Sequence, residues 1–139
     1  MKKTVKINRR SFLFGSAAAT ALAGCATSRM GARALKPGEK YRVAMIGYGI
    51  QMRTALLPQF LDKKLAANVD VVAVCDCDRV RAAAGVEQVN KAYGNSACKV
   101  VYDFREVLSD PEIDAVCIAT PDHWHAYMSV EAMKHGKDV

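Results

Sequence analysis

No apolar run in this chain is long enough to cross a membrane as a helix. The most apolar stretch, Phe12 to Gly24, would span about 20 Å as a helix, against a hydrocarbon core of about 30 Å. An excess of positive charge is also missing from the body of the protein. The formal charge is +6, but Lys2, Lys3, Lys6, Arg9 and Arg10 supply five of the 20 basic residues, and the remaining 15 face 14 acidic ones. No basic stripe interleaved with aromatics is left to track a phosphate backbone, so nucleic acid is not an expected partner. Zinc-type spacing is absent too: Cys75 and Cys77 lack the second cysteine pair or the neighbouring histidines of such a site, and no metal centre is expected. Cys75 and Cys117 fall in apolar runs and read as core thiols. A Cys77–Cys98 disulfide is compatible with export, but spacing gives no geometry for it. There is no internal repeat and no low-complexity tract.

What the chain does have begins with a leader. A basic start, an apolar stretch and small residues before a processing site mark residues 1–24 as an export signal. Arg9 and Arg10, followed by Ser11, Phe12 and Leu13, resemble the twin-arginine signal, with Asn8 and Phe14 departing from its usual flanks. "LAGC", Leu22 to Cys25, resembles the bacterial lipobox, which implies acylation of Cys25. A lipid there would tether the protein to a membrane surface without inserting it. An ordinary cleaved leader with an incidental cysteine is the alternative. Residues 25–40, with Pro37 and Gly38, read as anchor and linker.

From residue 41 short β-branched runs alternate with helical spacing. Strands are predicted at Tyr41–Ile46, Val69–Cys75, Lys99–Tyr102 and Asp114–Ala119. The first helix, about Ile50 to Lys63, pairs Leu56 with Phe60 and Leu57 with Leu61, and Pro58 should kink or split it. The second, Asp78 to Tyr93, carries Ala82, Val86, Val89 and Tyr93 on one stripe and stops at Gly94. Gly85 should weaken it by up to about 1 kcal/mol. A short third helix starts at Asp103 with Glu106 placed for a capping box. The fourth, about His123 to His135, is expected to bury Ala126, Val130 and Met133 and to end at Gly136. This alternation predicts an α/β fold, a Rossmann-type doubly wound parallel sheet over residues 41–139.

"IGYGIQM" puts Gly47 and Gly49 at the end of the first strand, with Ile50 opening the helix. Gly47 permits the tight turn, and Gly49 lets the backbone approach a pyrophosphate at the helix N-terminus. The position of the usual third glycine holds Met52, which should push the helix outward or shift its start. Asp76, at the tip of the second strand, is placed to bind the adenosine ribose hydroxyls and to repel a 2′-phosphate. That favours NAD over NADP, although Arg79 is near enough to accommodate the phosphate. Asp78 reads as a helix cap.

The last stretch, "DAVCIATPDHWHAYMSVEAMKHGKDV", resembles the Gfo/Idh/MocA family, the relatives of glucose-fructose oxidoreductase and inositol dehydrogenase. Together with the glycine turn and "VCDCD", the resemblance covers residues 41–139. It implies that Thr120 and Pro121 pass along the cofactor near its nicotinamide side, and that His125 lies by the nicotinamide ribose or the substrate mouth. A capping or packing role is the plainer reading of His123 and His125, and packing is the plainer reading of Trp124. The resemblance also implies a sugar or polyol substrate, and hydride transfer or NAD-dependent glycoside hydrolysis. The family continues into Glu-Lys-Pro and a second α+β domain bearing the acid–base groups. This chain is therefore expected to be the N-terminal part of a longer protein, with no catalytic residue nameable within it; a non-catalytic nucleotide-binding fragment is the reading from another class. The expected partners are the sugar or polyol, the twin-arginine machinery and the membrane through the lipid alone, with homo-oligomerisation left open. Twin-arginine export moves folded proteins, so a dinucleotide loaded before export could travel in the pocket.

Overall fold

The computed structural model describes residues 35–139, so the leader and Cys25 lie outside the described residues. Four strands, β1 (Tyr41–Ile46), β2 (Val69–Cys75), β3 (Lys99–Val101) and β4 (Ala115–Ile118), form one parallel sheet in the order β3-β2-β1-β4. The central strands are apolar on both faces because helices cover both sides of a parallel sheet. Along β1, Val43 and Met45 point into one core while Ala44 and Ile46 point into the other, the two-residue period of a strand. The predicted strands are found, with β3 one residue shorter at its end and β4 one residue shorter at each end. Beyond β4, the Val116 amide donates to the Asp138 carbonyl at 2.9 Å, so the chain returns alongside the outer edge of β4.

The chain steps outward from β1 to β3, then crosses back to β4 on the other side of β1. This reversal puts a crevice at the carboxyl ends of β1 and β4, where ligands of such sheets bind. One face carries a π-helical turn (Met52–Leu56) running into α1 (Leu57–Phe60), then α2 (Lys63–Ala66) and α3 (Arg79–Tyr93). The other carries α4 (Phe104–Ser109) and α5 (Asp122–Lys134). Met45, Met52, Leu57, Val74 and Val89 are fully buried on the first face, each contributing about 2 kcal/mol by removal from water.

Helix α3 follows the sequence closely. The Asp78 carboxylate caps it by accepting from the amides of Val80 (2.9 Å) and Arg81 (3.2 Å), and Gly94 ends it at φ +66°. Gly85 has a role that its helix-weakening effect concealed. A Cβ there would lie 2.7 Å from Val74 Cγ1 and 2.8 Å from Tyr48 Cδ2, so the missing side chain lets α3 press onto β2 and the glycine turn.

The first helix is divided at Pro58 as expected: the wide turn at 52–56 ends where α1 begins, and the proline occupies the first turn of α1, where its absent N–H costs little. A second break comes at Leu61–Asp62, where Asp62 caps α2 by accepting from the Lys64 amide at 3.0 Å. Two expectations need correction. Asp103 does cap α4, but its carboxylate takes the Arg105 amide (2.9 Å) and the Arg105 guanidinium (3.1 Å), in place of a reciprocal box with Glu106. Helix α5 buries Met128 and Ala132, whereas Ala126, Val130 and Met133 are exposed. With apolar residues around most of its circumference, its sequence did not specify which side meets the sheet.

Lys137 follows α5 and is buried. Its ammonium donates to the Ile113 carbonyl at 2.7 Å and to the Asp110 carbonyl, fastening the end of α5 to the loop before β4. Burial pulls its pKa below the ordinary lysine value, partly offset by Asp110 and Asp114.

Candidate functional site: the carboxyl edge of the sheet

The glycine turn is stitched between two strand ends. The Gly47 amide donates to the Cys75 carbonyl at 2.8 Å, and the Ala119 amide donates to the Ile46 carbonyl at 2.8 Å. Gly47 has φ +86°, and a Cβ on it would lie 2.8 Å from the Ala119 carbonyl oxygen. Only glycine fits there without moving backbone. Gly49 differs: a Cβ there would meet nothing within 4 Å. The helix's first hydrogen bond runs from the Arg53 amide to the Gly49 carbonyl at 3.0 Å. The Ile50, Gln51 and Met52 amides therefore precede the ladder, the arrangement that favours an anion. Open space over a glycine beside free helix-start amides fits the pyrophosphate of a dinucleotide.

Met52, at the usual third-glycine position, does not hold the helix off the sheet. Its side chain is fully buried, and the helix widens into its π turn from this residue onward. Tyr48, between the two glycines, is buried against Gly85, and its hydroxyl donates to Gln88 Oε1. Burial raises its pKa, partly opposed by Arg53, so the phenol stays protonated.

Asp76 sits at the tip of β2 as expected, and its carboxylate is already engaged. Oδ2 accepts the Tyr48 amide at 2.7 Å and Oδ1 accepts the Asp78 amide at 2.9 Å. An ionised carboxylate accepts about four hydrogen bonds, so capacity for two ribose hydroxyls remains. Asp76 thus ties the glycine turn to the start of α3 while facing the crevice.

A groove of about 500 Å³ opens beside the turn, lined by Tyr48, Gly49, Ile50, Arg53, Val80 and Arg81, with Ala84 at its side. Gly49 and Ile50 were expected at a binding surface. Arg53 and Arg81 were not singled out, although each falls within about one turn of the helix start that follows β1 or β2. Arg81 is drawn to Asp78 at 3.5 Å, and Arg53 makes no ion pair among the described residues. Arg79 is elsewhere. Its guanidinium lies 4.8 Å from the centre of the Tyr102 ring, at the end of β3.

At the other side of the turn, Thr120 touches Gly47: a Cβ on the glycine would lie 3.0 Å from Thr120 Cγ2. Pro121 precedes α5, and His125 Nε2 lies 2.7 Å from the Thr120 carbonyl. His125 holds the loop from one turn into the helix, with its ring exposed. Trp124 and Tyr127 pack edge-on around Phe104, with centroids 6.0–6.5 Å apart. The fold thus gathers Gly47, Gly49, Ile50, Asp76, Thr120 and Pro121 at one edge, with His125 behind the loop and Arg79 toward β3. Among the described residues no group of acids, cysteines and histidines is arranged to hold a metal.

The chain is similar to proteins that carry enzyme names. The chain is 35% identical to a Glycosyl hydrolase family 109 protein of Stenotrophomonas maltophilia, over 96% of this chain and 29% of that one. It is 36% identical to an uncharacterised oxidoreductase of Rhizobium meliloti, over 70% of this chain and 27% of that one. It therefore spans under a third of the length of these relatives. Among solved structures, a 3-ketoreductase from Actinomadura kijaniata in complex with NADP shares the fold at TM-score 0.60 and 23% identity, covering 71% of this chain and 28% of that one. The WlbA dehydrogenase of Chromobacterium violaceum, in complex with NADH and UDP-GlcNAcA, matches at the same score and identity, over 71% and 26%. Residues 41–139 match the Oxidoreductase family, NAD-binding Rossmann fold, so this chain belongs to the GFO/IDH/MocA family.

Proposed function

We propose that this chain is the nicotinamide-dinucleotide-binding part of an exported enzyme that moves hydride at a carbinol carbon of a sugar or polyol. The observation that carries the reading is the glycine turn, with open space over Gly49 beside a carboxylate with acceptor capacity to spare. When bound, the nicotinamide supplies the hydride acceptor. The residues here bind and orient: Gly49, Ile50 and the following amides hold the pyrophosphate, Asp76 takes the ribose hydroxyls, and Thr120 and Pro121 border the nicotinamide half. His125 keeps that border in place through the Thr120 carbonyl. Acid–base groups for the sugar are assigned to sequence beyond residues 41–139.

Export rests on the twin-arginine pattern, and anchoring on the lipobox at Cys25. A cofactor loaded before folded export would be retained and recycled in place. Native mass spectrometry of protein from the exporting cell tests this: bound dinucleotide and an acylated Cys25 are expected, and an empty, unprocessed protein contradicts it.

The names of several relatives favour a second reading, NAD-dependent glycoside hydrolysis, in which oxidation is transient. Absorbance at 340 nm during turnover separates the two. Given one sugar and no second substrate, a dehydrogenase leaves its bound cofactor reduced, whereas a hydrolase releases sugar and returns the cofactor to its starting state.

A further inference from the structure

We infer that Tyr48 and Gln88 are positioning residues, a strut from α3 that holds Gly49 in its binding shape, so that a helix position outside the groove sets dinucleotide affinity. The inference rests on the dinucleotide reading above and adds to it the part that keeps the turn in place. The two glycines of the turn are held differently. Gly47 is boxed in by the Ala119 backbone, whereas a Cβ on Gly49 would meet nothing within 4 Å. A glycine with open space around it has wide backbone freedom, so Gly49 keeps its place through its neighbours. After it, the Arg53 amide donates to its carbonyl at 3.0 Å. Before it stands Tyr48, which is tied at three points. The Tyr48 amide donates to Asp76 Oδ2 at 2.7 Å, its ring lies against Gly85, and its hydroxyl donates to Gln88 Oε1.

Gly85 and Gln88 lie three residues apart on α3 and so share one face of the helix. The phenol ring crosses that face at Gly85 and meets Gln88 at its far end. Contact at Gly85 sets how deep the ring sits, and the hydroxyl bond sets where it points along α3. Tyr48 is buried and Gln88 half-buried, so water is a poor substitute for either partner. A buried hydroxyl that loses its acceptor moves to find another, and the Gly49 peptide moves with it. Apparent affinity then falls by the fraction of molecules that leave the binding shape. Gln88 does not line the groove beside Gly49, so its effect must pass through Tyr48.

The test is calorimetric titration of the purified protein with NAD, well below the unfolding midpoint, repeated on Tyr48→Phe, Gln88→Met and the double variant. Each single variant should lose about tenfold in affinity, and the double variant no more than that, because both changes remove the same bond. Gln88→Glu keeps an acceptor at the same reach and should stay within about threefold of the unaltered protein. A merely structural pair would lower the unfolding midpoints and leave affinity untouched. That result overturns the inference and leaves the dinucleotide reading standing. So do losses that multiply in the double variant, or a loss in Gln88→Glu as large as in Gln88→Met. Failure of the unaltered protein to bind NAD overturns both.

Discussion

The turn after β1 and the loop after β4 face each other across the crevice and are held by different means. The turn is fixed by steric necessity: Gly47 at φ +86° fits against the Ala119 carbonyl because it lacks a Cβ, and Gly85 makes room for Tyr48 behind it. The loop is held by the Ala119 amide on the Ile46 carbonyl, by the Thr120 hydroxyl facing Met128 Sδ at 3.8 Å, and by His125 reaching back to the Thr120 carbonyl from an exposed helix face. The His125 bond has a net worth of about 1 kcal/mol. The turn is therefore expected to be the more rigid half of the site and the loop beyond Ala119 the more adjustable.

Breaking the rigid half should cost most. Gly47→Ala places a methyl group within 3 Å of backbone at a φ that disfavours side chains, and a loss of about 3 kcal/mol is expected from denaturant unfolding. Gly85→Ala gains helix propensity but forces Val74 and Tyr48 apart, for a net loss of about 1–2 kcal/mol. A stability gain there would mean that the turn is less tightly backed than described. His125→Ala should cost under about 1 kcal/mol and raise hydrogen exchange in residues 119–122 while leaving residues 47–49 unchanged. Equal protection loss in both segments would erase the distinction between them.

The thiols sharpen the same contrast at smaller scale. Cys75 lies under the turn, and burial, followed by Asp76 and other nearby acids, pushes its pKa up to about 12. Cys77, two residues on, is exposed. A raised thiol pKa means that the reactive thiolate is scarce below that value. Mild alkylation at pH 8 should therefore label Cys77 and spare Cys75 until the protein unfolds, as peptide mapping would show.

Much of the fold was legible because single residues announced it. β1 and β2 were readable from their apolar runs, and α3 from Asp78 before it and Gly94 after it. The parallel sheet with helices on both faces followed from the alternation of elements. What escaped depends on contacts that only the assembled chain makes. Gly85 reads locally as a helix weakener, and its use appears only once Tyr48 and Val74 are brought to it. Met52 departs from the glycine pattern, and the π turn that accompanies it has no sequence signature. The buried side of α5 was misread because Trp124, Tyr127, Val130 and Met133 offered as much apolar surface as Met128 and Ala132. Within the site, glycines and the strand-end acid were visible by position. Arg53 and Arg81 were not, because exposed arginines on helices are ordinary until a groove unites them.

The central claim is that the space over Gly49 receives a dinucleotide pyrophosphate. Gly49→Val tests it most directly, since a Cβ there meets nothing within 4 Å, and the substitution should leave stability nearly unchanged while filling the cradle. Calorimetric titration with NAD should show binding to the unaltered protein and a loss of at least about a hundredfold in the variant at similar unfolding midpoints. Equal affinity in the two proteins would place the dinucleotide elsewhere and contradict the account.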